Sequence, residues 1–90
     1  MSTLQINYDL KKPGRSYQPV YDYIKTHSSC RMLDSMWLVR TNKAPADVRN
    51  ELTALVDTND EVAVFDVTHS SWATNFSDDT TNWLKGRLAA

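Results

Sequence analysis

At 90 residues and 10.3 kDa, with 41% hydrophobic and 23% charged residues, three Trp, four Tyr and two Phe, the chain is expected to form one domain, spanning 1–90, around a single core; this composition excludes a disordered or low-complexity polypeptide. Its net charge of −1 conceals a split, because residues 1–49 hold eight Lys/Arg against four Asp, a surplus of +4, whereas residues 50–90 hold two against seven Asp/Glu, a balance of −5. A uniformly basic nucleic-acid domain is excluded, and ordinary solvated charges account for the split better than one basic face does.

Leu4, Ile6 and Tyr8 alternate with Thr3, Gln5 and Asn7, which predicts a half-buried strand over 3–9. Lys12-Pro13-Gly14 breaks it, and Ser16 is placed to cap a helix over 17–27 whose apolar face is Tyr17, Val20, Tyr21 and Ile24, with Pro19 in the first turn. Residues 29–42 are rich in strand formers interrupted by Leu33-Asp34-Ser35, so they read as a tight hairpin or as one long strand bent by a bulge. Pro45 opens a second helix over 45–56 with Val48, Leu52, Leu55 and Val56 at helical spacing, ended by Asp57-Thr58-Asn59-Asp60. The run Val62, Val64, Phe65, Val67 predicts a strand over 61–68 with both faces covered, hence central in the sheet or covered by a partner. Ser77, with Asp78 and Asp79 behind it, starts a third helix carrying Trp83, Leu84 and Leu88, with Lys85 and Arg87 near its end. This order is that of an α+β ferredoxin-like sandwich, βαββαβ, with an extra C-terminal helix.

The single Cys30 excludes an internal disulfide or a cysteine-built metal cluster and points to a reducing compartment, the cytoplasm by default. It reads as a small buried residue rather than a nucleophile. Residues 1–10 lack the apolar run of a signal peptide or membrane span, so a soluble protein without membrane partners is expected. Gly14 and Gly86 are the only glycines, which leaves no glycine-rich phosphate loop and no nucleotide cofactor of the dinucleotide-binding kind. His27 and His69 have no ligand-like neighbours at metal spacing, and Asp66, His69 and Ser70 are too weak a pattern to predict a triad. The tripeptide His-Ser-Ser, at 27–29 and 69–71, is no structural repeat. Trp72, Phe76 and Trp83 stand near Asp78 and Asp79 rather than lysines, so they predict a hydrophobic mini-core or a dimer contact in preference to a base-stacking platform.

Asp9 is the leading candidate site. It closes the first strand just before Lys11, Lys12 and Arg15, so its carboxylate could serve a hard cation such as Mg²⁺ or Mn²⁺ while the basic residues meet nucleic-acid phosphate. One carboxylate is too few for such a site, and a twofold axis would have to supply a second Asp9. The competing role for Asp9 is a turn cap or a partner for Arg15 or a lysine.

Tyr8-Asp9-Leu10-x-Lys12-Pro13-Gly14, followed by Leu33-Asp34-Ser35-x-Trp37-Leu38, resembles the small CRISPR-associated proteins of the Cas-two type and the virulence-associated D proteins, and is most similar to their stand-alone "SinR family" branch. The resemblance implies a ferredoxin-like fold and a homodimer in which two Asp9 carboxylates face each other near the twofold axis. It implies either a binding or scaffold module for nucleic acid or a protein partner, or a metal-dependent endonuclease acting on RNA or DNA with Asp9 as catalytic residue and metal ligand.

Overall fold

A computed structural model describes residues 1–11 and 17–88. Seven elements follow in chain order: β1 (Ser2–Asp9), α1 (Gln18–Lys25), β2 (Ser28–Leu33), β3 (Met36–Thr41), α2 (Pro45–Thr53), β4 (Glu61–Asp66) and α3 (Asp78–Leu84). The four strands form one antiparallel sheet in the order β2-β3-β1-β4, giving a small α+β fold with three helices.

The period-two pattern of β1 decides how the layers form. Leu4, Ile6 and Tyr8 all face one side and, with Trp37 and Val39 of β3, are buried beneath Val20 and Ile24 of α1 and Val48 and Leu52 of α2. Tyr21 and Leu55, expected on the same stripes, are half-buried against this core. The opposite face carries a second cluster, in which Leu84 and Leu88 from the α3 region cover Met32 and Leu38, with Trp72, Phe76 and Trp83 packed against it. The aromatic tail therefore builds the expected mini-core.

Residues 28–41 form a hairpin rather than a single bent strand, yet the bulge is also present: Arg31 pairs with Trp37 and Leu33 with Met36, so Met32 is the extra residue. Both long helices end before their predicted limits. In α1, Thr26 and His27 donate backbone hydrogen bonds three residues back, to Tyr23 and Ile24, and the Thr26 hydroxyl donates to the Tyr23 carbonyl at 2.6 Å. These three-residue bonds tighten the final turn and end the α-helix. In α2, Leu55 donates back to Leu52 at 2.9 Å with the same effect. Tyr17 is the N-cap of α1, without a side-chain cap bond, which displaces the boundary expected from Ser16; Ser16 itself lies outside the described residues. For α3 the expected cap is Ser77, whose Oγ accepts from the Thr80 amide at 3.4 Å. Gly86, at φ +82°, then turns the chain so that Leu88 drops into the second core.

The largest difference from the sequence reading concerns β4. Its apolar run predicts a strand that is central in the sheet or covered by a partner, and it is not central: among the described residues it lies at the edge of the sheet, paired with β1 alone. Val62 and Val64 lean on the first core, while Phe65 stands 55% exposed on the other face. The strand stops at Asp66 because the carboxylate of that residue accepts from both the amide and the hydroxyl of Thr68, at 3.0 and 2.6 Å. The Thr68 hydroxyl oxygen also accepts the Thr3 amide at 2.9 Å, where a ladder partner would otherwise be.

Candidate functional site

The two stretches that carry the sequence resemblance meet in space. The Tyr8 amide donates to the Ser35 carbonyl at 3.1 Å, and its hydroxyl donates to the Asp34 carbonyl at 3.2 Å while accepting from Trp37 Nε1 at 3.0 Å. Arg31 closes the same corner: its guanidinium lies 5.5 Å from the Tyr21 ring centre and 5.6 Å from that of Trp37, and it donates to the Asp34 carbonyl at 2.6 Å. Tyr8, Asp34, Ser35 and Trp37 thus tie the hairpin turn to the end of β1, and that tie fixes where Asp9 emerges.

Asp9 follows Thr3, Gln5 and Asn7 on the face opposite the helices, and its side chain is 70% exposed. Glu61 is its register partner across β4. Lys11 Nζ hydrogen-bonds Glu61 Oε1 and lies 3.8 Å from Asp9 Oδ2, while the Lys11 amide donates to Asp60 Oδ1 at 2.7 Å. The hydrogen bond and charge of Glu61 push the Lys11 ammonium pKa up, and Lys11 in turn holds the Glu61 carboxyl below its usual range. Of the four expected site residues, the structure brings Asp9 and Lys11 together but engages Lys11 with carboxylates; Lys12 and Arg15 lie outside the described residues. Glu61 is the member the sequence reading missed, because its place beside Asp9 follows from a pairing of strands 52 positions apart that no local motif encodes.

One chain does not supply a good seat for Mg²⁺ or Mn²⁺. An ammonium already lies against both neighbouring carboxylates, and among the described residues no group of three His, Cys, Asp or Glu gathers around a common point. Beside Asp9 the sheet face opens into a shallow depression of about 370 Å³, lined by Asn7, Leu33, Met36, Glu61 and Ala63 among others. Leu33 is 54% exposed at its rim.

The remaining candidates have structural partners. Ser70 donates its hydroxyl to the Val67 carbonyl at 2.8 Å and Asp66 is taken by Thr68, so these residues form no relay with His69. His27 Nδ1 lies 3.2 Å from the Tyr23 carbonyl at the end of α1, and its ring meets Tyr23 edge to face. Cys30 is half-buried, and that burial pushes its thiol pKa up, opposite to the shift an activated nucleophile needs. No helix among the described residues is long and apolar enough to cross a membrane. No protein-family model matches the chain, and no solved structure matches it.

Two tyrosines couple this fold to alkaline pH. Burial raises the pKa of Tyr8 despite the bond from Trp37; burial, with a hydrogen bond to Glu51, raises that of Tyr23 well above the usual tyrosine range. A raised folded-state pKa adds stability that is fully present below the unfolded value, about 10, and is lost as pH rises through the folded value. Unfolding free energy should therefore fall above about pH 10, and Tyr23→Phe should flatten that decline. Chemical denaturation at a series of alkaline pH values checks this, and an unchanged slope in the variant would remove Tyr23 as the cause.

Proposed function

We propose that the chain is a Cas-two-like, ferredoxin-like protein of the cytoplasm that forms a homodimer and acts as a binding or scaffold module. The observation that carries this reading is the half-bare sheet. The α3 region and the tail cover Met32 and Leu38, but Phe65 remains exposed on β4 beside Gln5, and Ala63 and Leu33 remain exposed nearer the end where Asp9 emerges. Apolar side chains exposed together on a flat sheet face are suited to a second copy related by a twofold axis. The strand order β2-β3-β1-β4, with α1 and α2 on one side, supports the ferredoxin-like assignment. The lone Cys30 supports a reducing compartment. Engagement of Lys11 by Glu61 and Asp9 favours a scaffold over a phosphate-gripping enzyme.

A metal-dependent endonuclease is the second reading, favoured by the exposure of the Asp9 carboxylate at the end of a central strand. Light scattering combined with melting separates the two. The wild type should have twice the monomer mass at micromolar concentration, and Phe65→Glu should reduce it to the monomer while keeping the fold. Asp9→Asn should stay dimeric, melt within about 3 °C of the wild type as an exposed substitution, and respond to Mn²⁺ no differently. A monomeric wild type overturns the dimer. A melting temperature raised by Mn²⁺ in the wild type and not in Asp9→Asn, together with cleavage of RNA or DNA, overturns the scaffold in favour of the nuclease.

A further inference from the structure

Among the described residues, the outer edge of β4 has no strand paired with it. Val67 donates its amide to the Thr3 carbonyl at 2.9 Å, and Thr3 continues on β1 as Gln5, Asn7 and Asp9, the register partners of Phe65, Ala63 and Glu61. In an antiparallel ladder the hydrogen-bonded pairs alternate, so Phe65, Ala63 and Glu61 direct their backbone groups at β1. The N–H and C=O groups of Val62, Val64 and Asp66 consequently point outward, where no described residue pairs with them. Natural edges are usually protected by a lysine, a proline, a bulge or a covering element. Between Glu61 and Asp66 there is no Lys, Arg or Pro, and the β1–β4 register runs without a break.

The charges at the two ends of this edge select what fits beside it. Asp60 and Glu61 stand at one end, with Lys11 as the counter-charge against Glu61, and Asp66 stands exposed at the other. A second β4 laid parallel would set Glu61 on Glu61 and Asp66 on Asp66, whereas laid antiparallel about Val64 it would set Asp66 against Val62 and meet no basic residue at either end. Like charges directly opposite destabilise the parallel pairing, and the antiparallel one gains no opposite charge, so a second copy complements this edge less well than a segment with basic ends. A segment with an apolar centre and basic ends suits both the ladder and the charges.

We propose that the β4 edge binds an extended segment of another protein, apolar at its centre and flanked by Lys or Arg, which adds to the sheet as a fifth strand. This names the partner class of the scaffold reading and rests on it. Main-chain hydrogen bonds from Val62 and Val64 supply the ladder, and the acidic ends supply the selectivity.

The test is fluorescence anisotropy of the full chain with a labelled peptide of alternating valine and threonine between two terminal lysine pairs. Saturable binding is expected, at least tenfold weaker for the same peptide with glutamate ends and tenfold weaker after N-methylation of the backbone amides on its ladder-forming side. Val64→Pro, which removes an outward N–H from an edge position that tolerates proline, should also abolish binding. Should that variant not fold, the N-methylated peptide still decides the matter. Absence of binding, equal binding of the lysine and glutamate peptides, or displacement by single-stranded oligonucleotide overturns the proposal. So does a dimer that Val64→Pro dissolves, since a second copy would then fill the edge. Light scattering on the same samples keeps the two readings apart: a dimer lost in Phe65→Glu and retained in Val64→Pro stands whether or not the peptide binds.

Discussion

Ile6→Ala should cost about 3 kcal/mol of folding stability and lower the melting temperature by about 12–24 °C. Ile6 has no exposed surface and lies in β1 between Trp37 of β3 and Val64 of β4, so deleting three of its carbons leaves a void bounded by both neighbouring strands. A domain of this size has a total stability of about 5–13 kcal/mol, so the loss is a large share of the whole. Leu33→Ala is the control: Leu33 is 54% exposed, and its truncation should change stability by no more than about 0.5 kcal/mol. Denaturant titration of both variants checks the pair, and equal losses would mean that β1 does not run through the centre of the core.

Thr3→Val should have the second-largest effect, although it preserves shape. Thr3 is fully buried; its hydroxyl donates to the Arg87 carbonyl at 2.6 Å and accepts from Arg40 Nη1 at 2.8 Å. Arg40 Nη1 also reaches the Arg87 carbonyl, at 3.3 Å. Valine removes both bonds of the hydroxyl and leaves a guanidinium and a carbonyl short of partners in a partly buried place, at a cost of about 1–3 kcal/mol. The damage should concentrate at the end of α3, which this clasp holds to the sheet, so trypsin should cut after Lys85 or Arg87 sooner than in the wild type. Thr3→Ser, which keeps the oxygen, should resist cleavage nearly as well as the wild type. Uniform loss of protection along the chain, rather than loss at the C-terminal end, would count against the clasp.

The contrast between Ile6 and Thr3 shows what the sequence made legible. Leu4, Ile6 and Tyr8 announce their common face by alternation, and Val20, Ile24, Val48 and Leu52 announce theirs by helical spacing; all seven are buried as expected. These signals are local, and a few neighbouring residues suffice to read them. Thr3 gives no such sign, because its partners are 37 and 84 positions away. The same limit applies to the candidate site. The position of Asp9 at a strand end was legible, but its juxtaposition with Glu61 and the engagement of Lys11 came only with strand pairing. For β4, the apolar run was read correctly as a strand, but of its two alternatives a central place in the sheet fails, since strand order across the sheet is not encoded in the composition of one strand.

The strand order also dictates a timetable for vectorial synthesis. The β2–β3 hairpin joins neighbours in the chain and can close as soon as Thr41 is available. By contrast β1, made earlier, is flanked by β3 on one side and β4 on the other, so its second edge has no partner until Asp66 has been added. Over that interval the apolar side chains Leu4 and Ile6 sit on a strand paired along one edge, the arrangement most open to pairing with another nascent chain. The risk ends when β4 docks, and the vulnerable edge then passes outward to Val62 and Val64.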